Sequence, residues 1–115
     1  MHEGSITKSL LALAEKSRKE EDLKEVTRVK IVVGVLHHII QEVMLMHFDL
    51  MKIDHRGFEE AVLEIEERQI KLRCSECCAT IELQQAVFIC PECHSTETEV
   101  IEGNELYIES ITGIR

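Results

Sequence analysis

The chain has 115 residues, a formal net charge of -9 and only four aromatic side chains, Phe48, Phe58, Phe88 and Tyr107. That length holds one compact domain, or one domain with a small satellite, around an aliphatic core, and it offers no stacking platform for bases or sugars. Residues 1–73 carry 12 Lys and Arg against 14 Asp and Glu, whereas 74–115 carry only Arg115 against eight Glu, so the second segment is unsuited to gripping a phosphate backbone and no nucleic-acid partner is expected.

No basic leader or cleavable apolar segment precedes the first predicted helix, and no apolar run approaches a membrane span. A cytoplasmic protein with no membrane partner is the expectation. From Ser5 to Arg18, Ile6, Leu10, Leu13 and Ala14 recur at helical spacing, with Ser5 as the predicted N-cap. The run from Val26 to Val33 alternates as a strand, with Val29, Ile31 and Val33 on one face, Arg28 and Lys30 on the other, and Gly34 ending it.

Residues 40–51 read as a second helix, because Ile40, Val43, Met44, His47, Phe48 and Met51 share one side. This methionine-bearing stripe is core filling rather than a thioether metal site. After a polar link from Lys52 to Arg56 that includes a solvated His55, Ala61–Glu66 is a second strand with Leu63 and Ile65 inward. A strand, a helix and a strand imply a right-handed crossover and parallel pairing. Leu106–Ile111 alternates as a third strand that returns to the same sheet, making the cysteine segment between them an excursion.

That segment carries Cys74-Ser75-Glu76-Cys77 and Cys90-Pro91-Glu92-Cys93, two Cys-x-x-Cys knuckles that can present four sulfurs to one tetrahedral ion. In a reducing compartment such cysteines are metal ligands rather than disulfides. Structural zinc is the leading reading, with a rubredoxin-like iron site and a redox dithiol as alternatives. The stretches Ile81–Leu83 and Val87–Ile89 are expected to form a hairpin whose ends carry the knuckles. Cys78 stands where a knuckle often has glycine and reads as a spectator thiol. His94, next to Cys93, reads as a bystander, with a hydrogen bond near the sulfurs or pH control of the zinc site as the alternative.

At the other end, a free Met1 amine, the His2 backbone nitrogen and the His2 imidazole can close fused chelate rings, a nitrogen set that suits nickel(II). Taken with Met1-His2-Glu3, Ser5-Ile6, Ser9-Leu10-Leu11, Val29–Gly34, Ala61–Glu66, the paired knuckles and Gly103-Asn104-Glu105-Leu106, the sequence resembles the HypA/HybF family of nickel-insertion accessory proteins for nickel-iron hydrogenase maturation.

The resemblance implies a nickel metallochaperone, not an enzyme. His2 would be the principal Ni(2+) ligand, the Met1 amine and Glu3 would assist, and Cys74, Cys77, Cys90 and Cys93 would take Zn(2+). It implies a HypB-type GTPase and the hydrogenase large-subunit precursor as partners, with urease maturation proteins as further clients, and a monomer or weak homodimer. Here Gly4 replaces a bulky apolar residue, His37-His38 replaces a common Ser-Gly pair, and Ile40 stands where some relatives offer a carboxylate. The histidine pair is therefore a further candidate for the nickel shell.

The expected fold is α+β, a three-stranded mixed sheet covered by two helices with an inserted zinc-ribbon module. Residues 1–70, completed by the returning strand 104–115, would form the nickel-binding domain, and 71–103 the zinc ribbon. A zinc-ribbon adaptor for a nucleic-acid or transcription or translation assembly is the alternative; it calls for a basic, aromatic-bearing ribbon face that this sequence lacks.

Overall fold

The structure is a computed structural model that describes residues 3–83 and 87–115. Met1 and His2, the residues on which the nickel expectation chiefly rests, lie outside the described residues.

Helix α1 spans Glu3–Glu20, starting two residues before the predicted Ser5 cap, which is an exposed residue of its first turn. Its buried stripe is Glu3, Thr7, Leu10, Leu11 and Ala14, while the predicted core residue Leu13 is 57% exposed. The predicted stripe of Ile6, Leu10, Leu13 and Ala14 is thus rotated towards Thr7, whose inward position is permitted because its hydroxyl donates to the Glu3 carbonyl at 2.6 Å and so buries no orphaned polar group. A Schellman turn ends the helix. The Leu23 N–H reaches the Arg18 carbonyl and the Asp22 N–H the Lys19 carbonyl, with Asp22 in the left-handed region at φ 55.

Strand β1 (Glu25–Gly34) forms the centre of a three-stranded sheet between β2 (Val62–Arg68) and β6 (Leu106–Ile114). Ion pairs Arg28–Glu64 and Lys30–Glu66 advance together along β1 and β2, as parallel neighbours do. Hydrogen bonds from Lys24 N to Ile114 O and from Gly34 N to Glu105 O run in opposite senses along β1 and β6, so that pair is antiparallel. The sheet is therefore mixed, as the strand-helix-strand order predicts. Val29 and Ile31 are buried as expected, and Val32 is buried as well.

Helix α2 (Gln41–Met51) buries Met44 and Phe48, the centre of its predicted stripe. Ile40 precedes it as N-cap with no side-chain cap. A short 3-10 turn, Lys52–Asp54, follows α2. In the polar link beyond it, the expectation of a solvated His55 is overturned: His55 is half-buried, its Nδ1 is 2.6 Å from Glu15 Oε2, and its ring meets Phe58 edge-on. Aromatic contact and a carboxylate partner 40 residues away override the local polarity.

The cysteine segment holds a second sheet that periodicity did not reveal, ordered β4 (Thr80–Leu83), β3 (Ile70–Cys74), β5 (Thr98–Glu102), with β3 antiparallel to both neighbours. The predicted hairpin of 81–83 with 87–89 is not formed. Ile81 and Leu83 pair with Leu72 and Ile70 instead, and Phe88 stays 40% exposed outside any strand. The reason lies in Ile70-Lys71-Leu72, whose two apolar side chains are fully buried and make β3 the central strand, with β4 paired along one edge and β5 along the other.

The chain divides into two compact units, one of Met1–Val32, His38–Glu66 and Tyr107–Arg115, the other of Val33–His37 and Glu67–Leu106. Apolar burial is uneven between them. The first buries Leu10, Leu11, Ala14, Val26, Val29, Ile31, Val32, Met44, Phe48, Phe58, Ala61 and Leu63; the second, among the described residues, buries only Val33, Ile70 and Leu72 beside Cys74 and Cys90.

Candidate metal centre

The four predicted cysteines come together. The sulfurs of Cys74, Cys77, Cys90 and Cys93 all lie within 4.8 Å of one another, with Cys74–Cys93 and Cys77–Cys90 at 3.6 Å. A tetrahedral ion with metal–sulfur bonds of about 2.3 Å needs sulfur–sulfur separations of roughly 3.8 Å. Cys74 and Cys90 are buried, and Cys77 and Cys93 face outward.

Two matching turns build this arrangement. In the first, Cys78 N donates to Cys74 O and Cys74 N to Ala79 O; in the second, His94 N donates to Cys90 O and Cys90 N to Ser95 O. Each turn brings its second cysteine back beside the first, and each closes on a residue in the left-handed region, Cys78 and His94 both at φ 61. These are the positions where glycine is favoured. Cys78 is therefore explained as a conformational substitute for glycine, exposed and outside the cluster of four.

The thiols cannot all ionise unaided. The Cys77 N–H beside it lowers the Cys74 thiol to about 7. Cys93 receives the Ser95 N–H, which favours its thiolate, but neighbouring sulfurs and burial outweigh that bond and push it up to about 12. Cys77 is also raised; the Ala79 N–H favours its thiolate, but burial and its sulfur neighbours outweigh it. A divalent cation removes this conflict, and four thiolates leave it no open coordination position. The donor set thus fits a closed, structural, sulfur-loving ion.

Of Met1, His2 and Glu3, predicted for the second metal, Glu3 alone is described. It is buried on the first turn of α1, and its Oε2 accepts the Ile40 N–H at 2.9 Å. That bond holds the carboxyl at about 2, far below the usual glutamate value. It also ties the start of α1 to the start of α2, where Ile40 has no side-chain cap of its own. The histidine pair is divided in role: His37 Nε2 is 3.1 Å from the Asn104 carbonyl, and His38 is a left-handed residue at φ 53.

The family described as "Hydrogenase/urease nickel incorporation, metallochaperone, hypA" matches residues 1–113. The chain is 37% identical to the hydrogenase maturation factor HypA of Moorella thermoacetica, over 98% of this chain and 99% of that protein. It is 33% identical to that of Aquifex aeolicus, over 96% of each. The solution structure of the nickel metallochaperone HypA from Helicobacter pylori shares its fold, with a TM-score of 0.72 and 24% identity, covering 99% of this chain and 98% of the other.

Proposed function

This chain belongs to the HypA family of hydrogenase and urease nickel-incorporation metallochaperones, and from that premise we propose that it carries nickel(II) on its first three residues while zinc closes the four-thiol cluster. It is a maturation factor rather than an enzyme. The full-length family match carries the nickel reading. Zinc is favoured over iron by role: a closed, redox-silent ion suits a module that serves as a scaffold.

In this reading the Met1 amine and the His2 nitrogens form the principal chelate. Glu3 assists, and the bond from Ile40 to its carboxylate supports a positioning part for that side chain. Few protein ligands keep affinity near micromolar, about -8 kcal/mol, so that nickel leaves by ligand exchange in a docked complex. Residues 1–70 with 104–115 serve nickel handling and 71–103 form the zinc ribbon. A HypB-type GTPase and the nickel-iron hydrogenase large-subunit precursor are the proposed partners, with urease maturation proteins as a second set of clients. The setting is cytoplasmic and the protein a monomer or weak homodimer; among the described residues no helix is long and apolar enough to cross a membrane.

Delivery is tested by mixing nickel-loaded protein with the metal-free hydrogenase precursor and measuring nickel in the re-isolated precursor. Transfer should exceed that from a simple chelator buffered to the same free nickel. Equal transfer from both sources would remove the delivery role.

A further inference from the structure

Strand β6 is an outer strand of its sheet, and among the described residues its far side pairs with no other strand. A free strand edge is a template for another chain, and proteins guard such edges with charge, proline or shortness. The opposite edge of this sheet is guarded in that way, since β2 has Glu64, Glu66, Glu67 and Arg68 among its seven residues. By contrast, β6 runs for nine residues without proline and carries one charge, Glu109, which is turned to Lys30 of the same sheet at 3.2 Å. Leu106, Tyr107 and Ile114 are exposed along it.

An open groove of about 610 Å³ runs beside the strand, lined by its residues 108–113, by Leu23, and by Ser17 and Glu21. Leu13 lies one turn before Ser17, on the same side of α1, and is 57% exposed. This side of the molecule thus presents a free strand edge and an uncovered leucine together. A neighbouring strand that brought its own helix would cover both.

The sequence of β6 suits pairing with itself. Laid antiparallel about Ser110, two copies set Ile108 opposite Thr112, Leu106 opposite Ile114, and Tyr107 opposite Gly113, where the ring covers backbone that glycine leaves bare. Glu109 falls opposite Ile111, so no like charges meet. Resting on the weak-homodimer reading above and on no part of the nickel site, we propose that two copies of this chain join edge to edge through an isologous β6–β6 pair. The two three-stranded sheets then become one continuous sheet. A two-fold axis normal to the sheet at Ser110 keeps both α1 helices on one face and turns Leu13 of each copy towards α1 of the other.

The test uses the zinc-loaded full chain at about 0.15 M salt, which screens the repulsion between two chains of net charge -9. Sedimentation equilibrium from micromolar to millimolar protein reads the association, and amide hydrogen exchange locates it. Wild type should dimerise as concentration rises, with amides of β6 gaining protection and those of β2 unchanged. Ser110 is exposed, so Ser110→Lys and Ser110→Glu spare the fold but set two like charges opposite each other at the axis. Each alone should dimerise at least about tenfold more weakly, and an equimolar mixture of the two should recover association. A dimer that neither substitution weakens overturns β6 as the interface while leaving a homodimer standing; a wild type that stays monomeric to millimolar concentration removes both. Protection of β6 that arises only when a different protein is added also overturns the inference, and assigns the edge to that protein.

Discussion

Removing zinc should unfold one unit of this protein and spare the other. The unit of Val33–His37 and Glu67–Leu106 buries three apolar side chains among its described residues, Val33, Ile70 and Leu72. Their burial contributes roughly 5–9 kcal/mol, whereas a structural zinc in a small module supplies about 10–16 kcal/mol. A zinc ion closing the four-thiol cluster would thus contribute more to folding this unit than its apolar core does. The other unit has its own core around Leu11, Val29, Ile31, Met44, Phe48 and Phe58, and among its described residues no cluster of four thiols. Amide hydrogen exchange before and after chelation, with zinc loss checked by elemental analysis, resolves the two. Protection should vanish in β3 and β5 and persist in the centre of β1, from Val29 to Val32. If β3 stays protected in zinc-free protein, or β1 collapses with it, the assignment of folding free energy to the metal is wrong.

Three further outcomes follow from particular contacts. Cys78→Gly should raise stability by about 1 kcal/mol, because the left-handed backbone at φ 61 penalises a side chain, and leave one zinc bound; zinc loss would show that Cys78 serves as a ligand. Gly34→Ala would place a Cβ 2.0 Å from the Gly103 carbonyl oxygen and should destabilise by about 2–3 kcal/mol in thermal unfolding, an undiminished midpoint contradicting that close approach. Glu15 is held below its usual range chiefly by the hydrogen bond to His55, so its stabilising effect is present above the ordinary value of 4.5 and fades as pH falls through the lowered folded value. Urea unfolding of zinc-free protein should show wild type ahead of Glu15→Gln at about pH 6 and the gap closing in acid; a gap that widens in acid reverses the sign and rejects the pair.

The sequence carried most of what depends on local chemistry. Val29 and Ile31 announce β1 by alternation, Met44 and Phe48 announce the buried side of α2, and the two knuckles announce the thiol cluster at their correct spacing. What failed depends on distant partners. Val87-Phe88-Ile89 looks like a strand, yet β4 prefers Ile70 and Leu72 because burial there is complete. Thr98–Glu102 has a mostly polar sequence and becomes β5 only through its pairing with β3. His55 looked solvated because neither Glu15 nor Phe58 can be inferred as its neighbour from spacing. The same holds for His47 and Gly4, 43 residues apart: neither has a local pattern that predicts their packing contact. Cys78 is the reverse case, since the glycine-favouring position after its knuckle is readable, and the backbone there is left-handed despite the side chain; the same conformation at His94 was not read from the sequence.

The central claim is that two ions occupy separate places, one closed in by sulfur and one carried by the first residues of the chain. It is tested most directly by placing a single serine before Met1 and weighing the intact protein, by native mass spectrometry, in the presence of both metals. Wild type should carry one zinc and one nickel, and the extended protein one zinc and no nickel. Nickel retained at full occupancy in the extended protein, or zinc lost together with nickel, would contradict it.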